Sequence, residues 1–260
     1  MQSLLPAEPY DRPVIAATLE LDPAPVSLAD RAYVAIRDQL ILLDIRPGEP
    51  LDDDRLSASL GVGRTPVREA LKRLEIDRLV TTYPRRGTFA TVLDIADLAA
   101  ISEIRVQLEP LAARRAAERA SRSTRSELDE LAVRVGSLDT VRTDRSEVMR
   151  WDLRVHRAIY RAANNPHLED VLIRHHNLAS RIHCMFLDRL STLDEQVVAE
   201  HVALLQAVAA GRADRAEDLA REHVLGFERA VRAVIRPRRE HFRPNVTGSC
   251  GREEARKAVK

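Results

Sequence analysis

The stretch from Leu56 to Leu74 constrains this chain more than any other. Gly61 and Gly63 break a short helical segment at Leu60, and a second helix follows, with Pro66 in its first turn and Thr65 placed to cap it. Val67, Ala70, Leu71 and Leu74 form the buried stripe of that second helix. Arg64, Arg68 and Lys72, at four-residue spacing, form a basic ridge turned away from it. Two helices joined by a glycine-bearing turn, with arginines opening the second, make a helix-turn-helix. The end carrying those arginines is the one that meets base edges. Arg64 and Arg68 are therefore expected to contact bases or phosphates, with Thr65 against the DNA backbone. A plain solvated helix face is the alternative for such a ridge, and Arg73 and Arg78, which do not align with it, fit that alternative.

The next segment of the chain supports DNA contact. Val80 to Val92 reads as two short strands around the Arg85-Arg86-Gly87 turn. A hairpin behind a helix-turn-helix is a wing, whose tip (Arg86, Gly87) can enter the minor groove or clamp phosphate. The formal net charge of the 260-residue chain is only +1, so nucleic-acid binding must rest on local segregation of charge. That segregation is present. Seven acids face three arginines between Asp30 and Asp54, whereas seven bases face three acids between Arg64 and Arg86.

Upstream, five prolines before Val26 and no sustained period make residues 1–26 a flexible N-terminal arm. A helix begins near Ser27 and ends before Arg46-Pro47-Gly48-Glu49-Pro50. Asp52, Asp53 and Asp54 then offer a cap and first-turn acids for the helix through Leu60. Residues 27–94 are read as the winged helix-turn-helix. From residue 95 to 236 the pattern turns wholly helical, in about six segments, which predicts an all-helical bundle. Residues 237–260 read as a flexible polar tail. The fold expectation is mainly α. Two cysteines, Cys184 and Cys250, form no disulfide framework, no apolar run spans a membrane, and no secretory signal opens the chain, so a cytoplasmic location is expected.

The helical half breaks its own pattern at five places. Asp152 and His156 lie in line with Met149, Ile159 and Ala163. His201 interrupts the stripe Val197, Val198, Leu204, Leu205 and Val208, and His223 interrupts Ala216, Leu219, Ala220, Phe227 and Ala230. Inward polar groups cost several kcal/mol unless paired or metal-bound. An Asp and a His one turn apart, with two histidines from facing helices, make an N3O donor set suited to a divalent metal such as Zn, Ni or Mn, or to Fe. Hydrogen-bonded core histidines are the competing account. Arg105, in line with Leu98, Ile101, Leu108 and Ala112, is the fifth. It is placed either to hold a carboxylate ligand or to pair with Glu109 one turn on. His167, His175, His176, His183 and His241 carry less weight, His175 and His176 because adjacent residues face different ways.

Leu56 to Leu74, with the Arg64-Thr65-Pro66-Val67-Arg68-Glu69-Ala70-Leu71 string and the Arg86-Gly87-Thr88-Phe89 turn, resembles the winged helix-turn-helix of GntR-superfamily transcription regulators. Asp152-Leu153-Arg154-Val155-His156, Asn165-Pro166-His167-Leu168, Glu200-His201 and Arg221-Glu222-His223 are similar, in order, to the landmarks of the FCD ligand-binding domain of the FadR subfamily, in its VanR-like branch. The resemblance covers about residues 27–236. It implies a homodimeric, ligand-responsive regulator with Asp152, His156, His201 and His223 as metal ligands and Arg105 beside the effector pocket. The triple acid Asp52-Asp53-Asp54 departs from relatives that often place a basic, phosphate-touching residue at the third position.

The expected function is transcription regulation, as a repressor. A homodimer would read half-sites of double-stranded operator DNA about one helical turn apart or less. A small carboxylate effector, chelating the metal, would control it. A metal-dependent enzyme is the alternative from another class. No general base stands beside the four ligands and no HExxH-like string occurs, so no catalytic residue is expected. A regulator answering the metal alone would use the same residues.

Overall fold

The computed structural model describes residues 27–140, 142–186 and 194–235. The arm at 1–26, the tail at 237–260 and His241 lie outside the described residues.

Helix α1 (Leu28–Ile41) opens with a reciprocal capping box, in which Ser27 accepts from the Asp30 amide and the Asp30 carboxylate accepts from that of Ser27. Strand β1 (Pro50–Leu51) follows, then α2 (Asp53–Leu60), whose cap is Asp52 through bonds from the amides of Asp54 and Arg55. Gly61 ends α2 in the left-handed conformation, with φ +63°. Helix α3 spans Arg64–Ile76, and its N-cap is Gly63. The expected cap at Thr65 is thus corrected. Pro66 falls at the third helical position, where an amide hydrogen would have no intrahelical partner, so the helix starts earlier at no cost in hydrogen bonds.

Strands β2 (Val80–Tyr83) and β3 (Gly87–Ala90) form the wing, antiparallel, with Tyr83 opposite Gly87. Gly87 sits at φ +94°, two residues after Arg85 at φ +64°, and the Arg86 amide closes the turn on the Tyr83 carbonyl. The sheet carries a third strand where the sequence pattern predicts only a turn: β1 pairs with β3, giving the order β1-β3-β2. Ile36, Leu40, Val67, Leu74 and Leu79 are fully enclosed between the helices and this sheet.

Six helices make up the remainder of the described chain: α4 (Ala96–Arg119), α5 (Arg122–Gly136), α6 (Arg145–Ala162), α7 (Pro166–Phe186), α8 (Asp194–Ala209) and α9 (Ala213–Ile235). Their core is rich in alanine, with Ala113, Ala116, Ala132 and Ala216 letting the axes approach and Leu128, Val155, Leu204 and Leu205 filling between them. Helix α4 runs through Pro110, which removes the bond that the Val106 carbonyl would accept. Arg221 of α9 donates to that carbonyl instead, at 3.4 Å. Arg125 joins two helix ends by donating to Ala117 and Ala120 at the end of α4 and to Ala209 at the end of α8. Replacing Arg125 with alanine strands those carbonyls and is expected to cost about 1–2 kcal/mol, read as a thermal midpoint lowered by roughly 2–8 °C.

Helix α7 joins the bundle to the winged domain. Arg181, fully buried, donates to the Leu40 carbonyl at the end of α1 and to both Oγ1 and the carbonyl of Thr91 beyond β3. Arg174 pairs with Asp77 after α3 at 3.3 Å, and Leu178 packs against the cores of both parts.

Candidate functional site

Two sites stand out, one exposed and one buried. On α3, Arg64, Thr65, Arg68 and Lys72 are all exposed, as are Arg86 and Gly87 at the wing tip. Arg64 and Arg68 are not free: Arg64 Nε pairs with Asp54, and Arg68 Nε donates to Asp53 Oδ2 at 2.7 Å. Arg73 is bound differently from the solvated residue expected. It bridges to Asp30 at 2.7 Å and lies 4.1 Å over the Tyr33 ring, a packing role within the domain.

In the bundle, Asp152 and His156 from α6, His201 from α8 and His223 from α9 converge, one ligand atom of each lying within 4.8 Å of the others. All four are buried. Asp152 Oδ1 is 3.5 Å from His201 Nε2 and 3.8 Å from His156 Nε2, and the Nε2 atoms of His156 and His223 are 3.2 Å apart. The outward nitrogens of two of the rings face carboxylates. His223 Nδ1 lies 2.9 Å from Glu200, and His156 Nδ1 lies 3.3 Å from Glu109 and 3.1 Å from the Tyr160 hydroxyl. An ionised carboxylate only accepts, so these contacts favour a proton on each Nδ1 and an Nε2 lone pair turned inward. A cation between the two Nε2 atoms, or a proton shared by them, satisfies both. His201 Nε2 is buried with no hydrogen-bond partner and points at the same place. Core histidines would be satisfied by hydrogen bonds, and this converging set leaves His201 Nε2 without one. It fits a divalent metal.

The electrostatics agree. Burial, with His223 alongside, pushes the His201 pKa well below its usual value and keeps the ring neutral. Burial alone would raise the Asp152 carboxyl, but the His176 hydrogen bond and the surrounding imidazoles hold it well below the usual range. Glu109 is likewise held ionised against burial, chiefly by Arg105.

Three contributors were not singled out in the sequence. His176 on α7 reaches Asp152 Oδ2 at 3.2 Å and stacks on His156 with ring centroids 4.0 Å apart. Its own pKa is pushed down to about 3 by burial. Glu109 and Glu200 orient His156 and His223 from behind. The signal for Glu200 was its place beside His201. For Glu109 it was the Arg105 pairing, which does form, Arg105 Nε donating to Oε1 at 2.5 Å.

Arg105 also lines a cavity of about 60 Å³ beside the cluster. Arg105, Asp152, His176 and His223 line it together with Val197 and Phe227. At about 10–15 Å³ for each water-sized group, it admits only a small molecule.

Comparison with known proteins bears on both sites. Residues 28–90 match the family described as bacterial regulatory proteins, gntR family, and residues 100–226 match the FCD domain. The transcriptional regulator YdhC of Bacillus subtilis is 28% identical over 201 residues, covering 74% of this chain and 84% of that protein. The galactonate operon transcriptional repressor of Escherichia coli is 27% identical over 229 residues, covering 79% and 97%. The transcriptional repressor RspR of the same organism is 24% identical over 216 residues, covering 81% and 91%. Among solved structures, E. coli McbR/YncC superposes with a TM-score of 0.71 at 22% identity, over 80% of this chain and 98% of that one. A GntR regulator from Rhodococcus sp. RHA1 gives 0.63 at 24%, over 80% and 99%. At these identities the structures share the fold. Among the described residues no helix is long and apolar enough to cross a membrane.

Proposed function

The chain belongs to the GntR family of DNA-binding transcription regulators and carries an FCD ligand-binding domain, and from that premise we propose that it is a homodimeric repressor controlled by a small carboxylate effector at a metal site. The observation that carries the proposal is the buried convergence of His156, His201 and His223 on Asp152, with Asp152 and His223 also lining the cavity that presents Arg105. Asp152, His156, His201 and His223 hold a divalent ion, with Zn, Ni or Mn suited to these donors. When bound, the metal supplies open coordination positions for a chelating acid.

The residues around it do the rest. Glu109 and Glu200 fix the two rings, and Arg105, held by Glu109 through Nε and lying 3.4 Å from His176 Nδ1 through Nη2, offers its remaining terminal amino group to the effector carboxylate. Phe227 and Val197 add apolar lining, and the cavity volume of about 60 Å³ limits the size of the acid. That one relative represses a galactonate operon supports an acid as the signal, and that two relatives are repressors supports the sign. On the DNA side, Arg64 and Arg68 read the major groove of each half-site, with Thr65, Lys72, Arg86 and Gly87 on the backbone. No catalytic role is assigned to any residue.

The test is a titration of purified, metal-loaded protein with small carboxylates, following melting temperature and release of its DNA. An acid that raises the melting temperature and releases DNA, and does neither after Arg105→Met, supports the proposal. Release by metal alone, with no response to any acid, replaces it with a metal-responsive regulator. For the output end, Arg68→Ala is expected to cost about 1–3 kcal/mol of sequence discrimination per half-site, measured by footprinting. An unchanged footprint refutes the role of Arg68.

A further inference from the structure

The acids Asp53 and Asp54 stand where they oppose DNA binding, since each places a carboxylate beside the helix that must approach phosphates. Their geometry shows a different use. Both grip an arginine of α3 at the same atom: Asp53 holds Arg68 Nε and Asp54 holds Arg64 Nε. The contact each arginine makes is at Nε, and both side chains stay more than 60% exposed, at 63% and 64%. Exposed pairs of this kind add little to stability. The α2–α3 arrangement is already fixed by Leu56, Val67 and Ala70 in the core.

We propose that Asp53 and Asp54 are positioning residues that make Arg68 and Arg64 guanine readers. A guanidinium held at Nε can turn about fewer bonds and presents its Nη1–Nη2 edge outward. That edge matches the O6 and N7 acceptors of guanine in the major groove. The paired carboxylate also cancels much of the charge that would draw the arginine to a phosphate, so wandering onto the backbone gains less. Arg64 and Arg68 are one turn apart, about 6 Å along the helix, which is roughly two base steps at 3.4 Å each. Each half-site therefore carries two G·C pairs within about two base pairs of each other, one set by each Asp–Arg pair. Lys72, which has no such carboxylate, is left to phosphate.

This inference rests on α3 as the DNA-reading helix, and the experiment separates the two claims. The full chain and its variants Asp53→Asn, Asp54→Asn, Asp53→Glu, Arg64→Ala and Arg68→Ala are each used to select binding sites from a random duplex library. Affinity for the selected site, for the same site with 7-deazaguanine, and for random duplex is then measured across salt concentrations. The wild type is expected to select two guanines per half-site and to lose binding with 7-deazaguanine. Each Asp→Asn variant should lose about threefold to tenfold discrimination at one of those guanines, part of the range of a bidentate contact. It should also bind random duplex more tightly, with a salt slope steeper by up to about 0.9 for each arginine released to phosphate. Asp53→Glu should restore discrimination. Asparagine variants that select the wild-type motif with wild-type salt slopes overturn the positioning role while leaving α3 as reader. Arginine variants that select the wild-type motif overturn both.

Discussion

Replacing His201 and His223 together by alanine is expected to yield a purified protein without bound metal and without any thermal response to chelator. The wild type should carry metal and melt lower once it is stripped. A ligand present at about a thousand times its dissociation constant stabilises the folded state by about 4 kcal/mol. In a chain of this size each kcal/mol moves the midpoint by roughly 2–4 °C. The wild type should therefore fall by roughly 8–16 °C on chelation, and the double variant by nothing measurable. The sign comes from the geometry. The Nε2 atoms of His156 and His223 face each other at 3.2 Å, with a carboxylate behind each ring, and His201 Nε2 is buried without a hydrogen-bond partner. Stripping the metal leaves these nitrogens without their cation, a loss that the double variant, lacking two of the ligands, cannot show. Metal content measured on both proteins decides the matter. Equal content, or a wild type indifferent to chelator, sinks the metal assignment.

How far the site was legible in the sequence depended on which force placed each residue. Asp152, His156, His201 and His223 interrupt apolar stripes on single helices, and a stripe is a local signal with a 3.6-residue period. His176 also points inward, but its neighbour His175 masks the interruption. Only the packing of α7 against α6 shows which of the two reaches Asp152. Glu109 is visible as the partner of Arg105, yet its second oxygen serves His156 on a different helix, and no spacing within α4 reveals that. In the winged domain, glycine conformation and apolar period marked α2, α3 and the hairpin. Strand β1 escaped because two residues have no period, and its strand character comes from β3 across the ladder. The cap moved from Thr65 to Gly63 for a related reason. A good capping side chain competes with the backbone, and the extended Gly63, at ψ 168°, set the start of the helix. The three acids before Arg55 looked like a departure from a DNA-binding pattern, and only the pairing across the turn gives two of them partners.

The contact with the widest reach is Arg181, and Arg181→Met is the substitution that tests it. Burial pushes the Arg181 pKa down only to about 10, so the guanidinium is charged at neutral pH while wholly enclosed, its charge spread over the Leu40 carbonyl and the two oxygens of Thr91. Methionine fills similar volume but donates nothing, leaving those oxygens short of donors at the joint between the winged domain and α7. Unsatisfied buried acceptors cost about 1–3 kcal/mol each, so with three of them a loss of at least about 3 kcal/mol is expected there. Thr91→Val, which removes the Arg181 acceptor together with the hydroxyl's own bonds to the Arg78 and Leu79 carbonyls, should destabilise the same joint. The more telling readout is cooperativity. Helix α7 carries His176 on its bundle face, and Arg174, Leu178 and Arg181 toward the winged domain. In the wild type, chelation should therefore lower one shared calorimetric transition. In Arg181→Met the two parts should melt separately, with chelator moving only the transition of the bundle. A single transition that still shifts as a whole in the variant would show that the link between metal site and DNA-binding domain runs through some other contact.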